Sequence, residues 1–238
     1  MSSPTESPSP RDNRILSALP PSEFVRLESH LEQVRLVTGR VLYGAGDAVK
    51  HVYFLSRGMA SLVALTEDGS ATEVGMIGNE GMVGIPTVLR TNTSPYQVVI
   101  QIPASALRMR SDLLRAEFNR GGQLQDLLLR YTLVLLTQIS QSAACNRFHT
   151  VEERLCRWLL TSRDRAHMNT LYLTQEFLSQ MIGAPRTSVT ITARTLQRAG
   201  LIRYSRGKIQ ILDQQGLRDA SCGCYQVVAE ELSHLYAA

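Results

Sequence analysis

The sequence has few cysteines, and none of them precedes Cys145. The four are Cys145, Cys156, Cys222 and Cys224, and no two have the CxxC spacing. A disulfide framework needs several closely spaced cysteines in a short chain, and a zinc ribbon needs paired CxxC motifs. The pattern therefore argues against both and predicts buried or surface thiols.

The sequence also lacks an apolar run suited to a targeting signal or a membrane span. Its first ten residues, MSSPTESPSP, have no basic start and no apolar stretch, and their composition predicts a disordered tail over residues 1–12. The most apolar segment, residues 124–139, is interrupted by Arg130 and is too short to cross a bilayer. We therefore expect a cytoplasmic protein with no membrane partner.

Positive charge is concentrated in one segment near the C-terminus. The formal net charge is only +4, but the segment from Thr174 to Leu212 carries six basic side chains and one acid, Glu176. A polyanion would bind there. At 238 residues the chain is long enough for two domains.

The N-terminal half has the pattern of a small β-domain. Nine of the sixteen glycines lie between Gly39 and Gly84, where they separate short runs rich in β-branched and aromatic residues, such as HVYFL, SLVAL and TEVGMI. This predicts an antiparallel, jelly-roll-like β-roll within residues 13–120. Helical spacing before the roll predicts a helical cap, with Ser22 as a helix start.

Residues 121–149 have the pattern of one long helix, predicted from Gln123 to Asn146. Its apolar residues cover more than one face, so we expect one face to pack on the roll and another to pair with the same helix of a second subunit. An ordinary buried helix of a single domain is the alternative. The predicted dimer interface consists of Leu124, Leu128, Tyr131, Leu135 and Ile139. On this basis Leu135→Glu is expected to weaken dimerisation.

Residues 150–238 have the pattern of a winged helix-turn-helix domain. A first amphipathic helix should place Leu155, Trp158 and Leu159 inward and its charges outward. After it, Thr174 is a good N-cap, and Gly183 suits the left-handed turn before a second helix. The segment LIRYSRGKIQIL then predicts a basic hairpin, the wing.

The residue types of this domain suit contacts to double-stranded DNA. Residues on the second helix have donors or methyl groups for base edges in the major groove: Arg186, Thr187, Ser188, Thr190, Ile191 and Arg194. Polar residues around it suit phosphate contacts: Thr174, Gln175, Arg203, Ser205, Arg206 and Lys208. A winged helix that binds only proteins is the alternative.

The order of β-roll, long helix and winged helix resembles the Crp/Fnr superfamily of bacterial transcription regulators. The similar segments are HVYFLSRG, VEERLCRWLL, LTQEFLSQMIGAPRTSVT and LQRAGLIRYSRGKIQILDQQGL. The resemblance implies an α+β homodimer that binds a near-palindromic operator, with RNA polymerase as a further candidate partner. Its half-sites should lie about one helical turn, ~34 Å, apart.

The resemblance also places the segment IGNEGMVGIP, residues 77–86, at the phosphate cassette of members that bind cyclic nucleotides. Ile85 stands where those members have an acid, and SPYQVVI lacks their arginine. A buried phosphate without a counter-charge is costly, so we expect no cyclic AMP binding and an unknown small-molecule effector, if any. The candidate effector pocket consists of Gly78, Asn79, Glu80, Gly81, Met82, Val83, Gly84, Tyr131 and Ser140.

Other sensory chemistries of the superfamily lack their ligands here. An iron–sulfur sensor needs an N-terminal cysteine cluster, and the histidines His30, His51, His149 and His167 are isolated in the sequence. Cys222-Gly-Cys224 can chelate a metal or form a redox pair, but packing of the C-terminal helix is the favoured interpretation. No metal and no cofactor is predicted.

The recognition helix also departs from well-studied members of the superfamily. Thr187 and Ile191 stand where those members have a glutamate and a second arginine, so the resemblance carries over only the Arg186 contact, and the operator should differ from their consensus. Pro185 replaces their serine cap.

Two other functions are alternatives to a transcription regulator. A cupin-like metalloenzyme needs clustered histidines, whereas the predicted roll contains only His51 after its helical cap. A partner-binding module without specific DNA recognition would differ from a regulator in the sequence preference and salt dependence of its DNA binding.

Overall fold

The computed structural model describes residues 9–237. The helices are α1 (Arg14–Ser17), α2 (Pro21–Glu28), α3 (Ser111–Phe118), α4 (Gln123–Phe148), α5 (Val151–Ala166), α6 (Gln175–Met181), α7 (Arg186–Arg198), α8 (Gln214–Asp219) and α9 (Cys224–Tyr236). The strands are β1 (Glu32–Leu36), β2 (Val41–Tyr43), β3 (His51–Leu65), β4 (Ala71–Ile77), β5 (Met82–Val83), β6 (Gln97–Arg110), β7 (Thr170–Tyr172), β8 (Ile202–Ser205) and β9 (Lys208–Ile211).

The N-terminal part is an antiparallel roll built on its two longest strands, β3 and β6. These two strands pair with each other, β1 and β2 pair with β6, and β4 and β5 pair with β3. Side chains such as Phe54, Leu55 and Ile100 are fully buried between the strands and the helices. The predicted α+β class with an N-terminal β-roll is confirmed.

The runs HVYFL and SLVAL belong to one strand, β3, rather than to two short strands. The register with β6 shifts around Gly58, which has a φ of +85°. A Cβ at this position would approach the carbonyl oxygen of Pro103 to 2.3 Å. Glycine therefore marks a bulge inside a long strand and does not end it.

The N-terminal segments differ from the predictions in two places. Residues 1–8 of the predicted tail lie outside the described residues, but Pro10–Asp12 forms a 3-10 turn capped by the Ser9 side chain. Helix α2 begins at Pro21 without a side-chain cap, so Ser22 is inside the helix. Proline suits the first helical position because it has no N–H to leave unpaired.

Helix α4 runs two residues beyond its predicted end and covers the roll along one face. Leu124, Leu128 and Tyr131 lie in the core of the roll, and Leu135 is 6% exposed. These residues were predicted to form the dimer interface, and that assignment is wrong, because the chain buries them in its own core. Ile139 is partly exposed.

A second core joins α5 to the helices and small sheet of the C-terminal domain. Leu155, Trp158 and Leu159 are fully buried there, as predicted. Strands β7, β9 and β8 form a three-stranded antiparallel sheet beside α6 and α7. Within residues 9–237 no helix is both long and apolar enough to span a membrane.

Candidate DNA-binding surface and sensor pocket

The turn between α6 and α7 is fixed by local sequence signals. The Thr174 hydroxyl oxygen accepts a hydrogen bond from the backbone N–H of Phe177 at 3.1 Å, which caps α6. Gly183 has a φ of +58°, which a residue with a side chain rarely adopts. The buried Arg154 guanidinium donates to the carbonyl oxygens of Ile182 and Gly183, at 3.0 Å for the latter. The turn is thereby held to α5.

Helix α7 presents a polar face to solvent. Val189 and Leu196 are buried against α5 and the sheet, as predicted. The predicted base-contacting residues that are exposed are Arg186, Thr187, Ile191 and Arg194. Ile191 is 65% exposed, which is unusual for a large apolar side chain and suits contact with a thymine methyl group.

Two of the predicted contact residues on α7, Ser188 and Thr190, are half-buried. The Thr190 hydroxyl lies 2.9 Å from Gln175 Oε1 and 2.8 Å from the carbonyl oxygen of Arg186. Since a hydroxyl has one hydrogen to donate, Thr190 already uses its donor within the domain. It therefore links α7 to α6 more directly than it offers a donor to a base.

The wing is a tight hairpin between β8 and β9. Its two turn residues, Arg206 and Gly207, have φ values of 49° and 75°, the backbone of a type I′ turn. The turn leaves Arg203, Ser205 and Lys208 exposed together with Arg206. The predicted phosphate-contacting residues of the wing thus lie next to α7.

Arg186 forms an exposed ion pair with Glu176. Arg186 Nη1 lies 3.6 Å from Glu176 Oε2. Exposed pairs of this kind contribute about 0–1 kcal/mol, so the guanidinium can exchange Glu176 for a guanine edge at little cost.

The sequence pattern predicts that all charges of α5 face outward, but the structure buries three of its arginines. Arg154, Arg157 and Arg165 are buried, because α5 lies between the roll and the C-terminal domain. Periodicity alone did not show that both faces of this helix would be covered.

The interface between α5 and the roll contains a buried acid, Glu73 of β4. The Trp158 indole N–H donates to Glu73 Oε1 at 2.8 Å, and the Ser61 hydroxyl donates to Glu73 Oε2. Burial raises the pKa of Glu73 to about 7, although these two hydrogen bonds and the charges of Arg157 and Arg165 act in the opposite direction. No motif in the sequence marks Glu73.

The loop at residues 77–86 is a joint between the roll and α5. Glu80 Oε1 accepts from Arg165 Nε at 2.8 Å, and both side chains are buried. The backbone N–H of Gly78 donates to the same carboxylate at 2.9 Å. Asn79 Oδ1 lies 3.2 Å from His167 Nε2, just after α5. The acid of this loop is therefore already paired with a cation of the C-terminal domain.

Neighbouring groups complete this joint. The Gln138 amide of α4 hydrogen-bonds both the N–H and the carbonyl of Met76, each at 3.0 Å. The Tyr236 hydroxyl of α9 donates to the Glu80 carbonyl oxygen. A Cβ on Gly81 would overlap the Tyr131 hydroxyl, so the loop packs directly on α4. The loop thus contacts α4, α5 and α9.

A small cavity of about 140 Å³ lies between the roll and α4. Its lining is mainly apolar, and the described residues that line it include no lysine and no arginine. Polar atoms come from side chains such as Tyr43, Ser94 and Thr132.

Most of the predicted effector-pocket residues lie elsewhere. Gly84 lines the cavity. Met82 and Val83 are buried in β5, Tyr131 is buried in the core, and Ser140 is exposed on α4. Asn79 and Glu80 line a second cavity, of about 130 Å³, between the loop, α5 and α9, so the predicted pocket residues are not gathered around one cavity.

Comparison with known proteins accounts for both halves of the chain. The cyclic nucleotide-binding domain family matches residues 33–120, and the Crp-like helix-turn-helix domain family matches residues 153–220. The chain belongs to the Crp/Fnr superfamily. It is a DNA-binding transcription regulator of the Crp/Fnr type, with a cyclic-nucleotide-binding-like domain and a helix-turn-helix domain.

Three similar members of the superfamily are distant in sequence from this chain. The "CRP-like cAMP-activated global transcriptional regulator" of Mycobacterium tuberculosis is 23% identical over 85% of this chain and 94% of its own length. The structure of FixK2 from Bradyrhizobium japonicum is 16% identical, with a TM-score of 0.69 over 81% of this chain and 98% of that one. The c-di-GMP responsive global regulator CLP of Xanthomonas campestris is 17% identical, with a TM-score of 0.62 over 81% of this chain and 99% of that one. The structural similarities establish a shared fold.

Within this Crp/Fnr member, the sequence signals that located the DNA-binding surface were local ones. Thr174, Gly183 and the Arg206-Gly207 turn each act within a few residues of the chain. Glu73, Gln138 and the partners of Glu80 act across long sequence separations. No single-sequence signal pairs Glu80 with Arg165, which lies 85 residues further along the chain.

Proposed function

We propose that the protein acts as a homodimer that binds a near-palindromic operator and that its roll does not bind cyclic AMP. The observation that carries the DNA-binding part is the exposed face of α7, with Arg186, Thr187, Ile191 and Arg194, beside the basic wing. This combination of donors, a methyl-contacting side chain and flanking cations suits insertion into a major groove. The phosphates would be contacted by Arg203, Arg206 and Lys208.

An apolar stripe on α4 supports the homodimer. Leu129, Leu133 and Leu136 are 49%, 58% and 57% exposed, although the same helix buries its opposite face in the roll. Their spacing of four and three residues matches the seam of a paired helix. A second copy of α4 would cover these side chains and set the two α7 helices at a fixed distance.

The cavity beside α4 supports a ligand other than a cyclic nucleotide. A cyclic phosphate in this apolar space would have no cation among the lining residues, and a buried unpaired anion is strongly disfavoured. Arg165 does not line this cavity and is paired with Glu80. A small apolar molecule fits the lining better, and the effector proposed here belongs to that class.

Selection of bound sequences from a random DNA pool tests the proposal. The purified protein should enrich a near-palindrome, and the same one with and without cyclic AMP. Isothermal titration calorimetry with cyclic AMP should show no saturable heat. A cyclic-AMP-dependent palindrome would contradict the part about the roll, and DNA binding without any enrichment would favour the partner-binding alternative.

A further inference from the structure

Three thiols and an imidazole converge where α4 meets the start of α9. Cys145 and His149 lie one helical turn apart at the end of α4, and Cys222 and Cys224 lie just before and at the start of α9. One ligand atom from each side chain lies within 4.8 Å of each of the others. The two pairs are about 75 residues apart in the sequence, so the fold brings them together.

The distances suit a single tetrahedral ion. Cys145 Sγ and Cys222 Sγ are 3.5 Å apart, and Cys224 Sγ and His149 Nδ1 are 3.6 Å apart. Zinc with bonds of about 2.3 Å to sulfur and about 2.0 Å to nitrogen separates its tetrahedral ligand atoms by roughly 3.5–3.8 Å. An iron–sulfur cluster distributes its thiolates over several iron atoms and so holds them further apart.

A disulfide explains less of the arrangement. The Cys145 and Cys222 sulfurs would have to approach from 3.5 Å to about 2.05 Å. That bond would not explain why Cys224 and His149 lie beside the same two sulfurs. One ion accounts for all four groups.

The surroundings of the four side chains suit the net charge of a bound zinc ion and allow the ion to enter from solvent. Zn²⁺ with three thiolates and a neutral imidazole carries a net charge of −1. The guanidinium groups of Arg154 and Arg157, both buried on α5, interact electrostatically with Cys145. Arg157 Nε is buried without a hydrogen-bond partner among the described residues. His149 is partly exposed and gives an ion a route from solvent to the three buried sulfurs.

We propose that Cys145, His149, Cys222 and Cys224 bind one Zn²⁺ ion that ties the end of α4 to the start of α9. Binding forms three Zn–S bonds and one Zn–N bond and releases the three thiol protons to solvent, with no change of oxidation state. His149 and Thr150 are the only residues between α4 and α5. The ion therefore holds the connection between the roll and the DNA-binding domain.

The metal content of the full-length protein, purified in the presence of a reductant, tests this site. Mass spectrometry should find one zinc per chain, and the metal-free protein should take up one Co²⁺ with the intense visible bands of a tetrahedral thiolate complex. Cys224→Ser and His149→Ala should both lose the stoichiometric metal and these bands. His149→Ala removes a partly exposed side chain, so its folding, checked by circular dichroism, should be retained.

Cys156→Ala is the matched control, because Cys156 is a buried cysteine of α5 outside the cluster. This variant should keep one zinc per chain. The proposal is overturned if wild-type protein with four titratable thiols binds neither ion at one per chain. Retention of the metal by Cys224→Ser and His149→Ala together would also overturn it.

Discussion

At the scale of single residues, burial decides what each arginine does. Arg186 is exposed and free to exchange its weak pair with Glu176, so it suits recognition of a base. Arg154 is buried and donates to the carbonyls of the α6–α7 turn, so it positions the recognition helix. Arg165 is buried against Glu80 and joins two domains. The sequence assigns charge to all three, but only the fold distinguishes these roles.

Replacement of Arg186 by alanine should weaken specific DNA binding by about 1–3 kcal/mol and relax the preference at one base pair per half-site. The reason is loss of a two-donor contact to guanine. Fluorescence anisotropy with the selected operator and its single-base variants measures both effects. Arg40→Ala, an exposed arginine of the roll, is the control and should leave binding unchanged. An unaltered base preference in Arg186→Ala would refute this role.

Replacement of Glu73 by glutamine should remove part of the pH dependence of stability. The pKa of Glu73 is raised from 4.5 to about 7 in the folded protein, so the folded state binds the extra proton between these values. Wild-type stability should therefore fall as the pH rises from about 4.5 to about 7, by roughly 3 kcal/mol at most. The charges of Arg157 and Arg165, the cations that face Glu73, already act against this rise in the pKa.

Urea denaturation at pH 5 and pH 8 measures this difference. The difference in the free energy of unfolding between wild type and Glu73→Gln should be larger at pH 8, where the variant should be the more stable. The glutamine also keeps an acceptor for the Trp158 N–H. Glu152→Gln, an exposed acid on α5, serves as the control. Equal pH dependence in wild type and Glu73→Gln would show that Glu73 does not titrate in this range.

At the scale of elements, the joint at residues 77–86 connects the roll to α5 and α9. Arg165→Met should destabilise the protein by about 3–5 kcal/mol, because the Glu80 carboxylate would remain buried without its cation. The double variant Arg165→Met, Glu80→Leu should lose less unfolding free energy than the sum of the losses in the two single variants. A double-mutant cycle by urea denaturation measures the coupling.

The control for this cycle is Arg163→Met on the same helix. Arg163 pairs with Asp164 at 2.9 Å, but both side chains are partly exposed, so the loss should stay below about 1 kcal/mol. If the effects of the Glu80 and Arg165 substitutions are simply additive, the buried pair does not couple the two domains.

The exposed stripe of α4 gives a second prediction at this scale. Leu133→Glu should leave the fold intact and shift the protein from dimer to monomer, because a charge would be buried at the seam. Sedimentation velocity measures the change. Val25→Glu, which alters another exposed apolar residue on α2, is the control.

Leu135→Glu should instead lower the stability of the chain itself, because Leu135 lies in the core. The assignment of the two faces would be reversed by two results together. These are a Leu135→Glu variant that is monomeric but as stable as wild type, and a Leu133→Glu variant that remains a dimer.

The sequence was informative where an element depends on its own residues. The cap at Thr174, the turn at Gly183 and the wing turn follow from local backbone preferences, and the structure confirms them. The covered face of α4 was not predictable, since apolar residues surround the helix and only the roll selects one side. The sequence likewise does not show that His149 lies beside Cys222 and Cys224, because only the fold brings them together. The i, i+4 spacing of Cys145 and His149 together with Cys222-Gly-Cys224 was the available signal for the cluster.

At the scale of the whole molecule, several connections link the roll to the DNA-binding domain. They include the Glu80–Arg165 pair, the Glu73–Trp158 hydrogen bond and the short link between α4 and α5. A ligand beside α4 would act on the same helix that carries the proposed dimer seam and the proposed zinc ligands. In the proposed homodimer, a small change at the cavity would therefore have a direct physical route to the spacing of the two α7 helices.

Hydroxyl-radical footprinting on the selected operator is the direct test of the proposed dimer, because it measures the spacing of its two recognition helices. We expect two protected regions on one face of the duplex, with centres about one helical turn, ~34 Å, apart and occupied together by one dimer. A single protected groove, or uniform protection without a centre of symmetry, would contradict it.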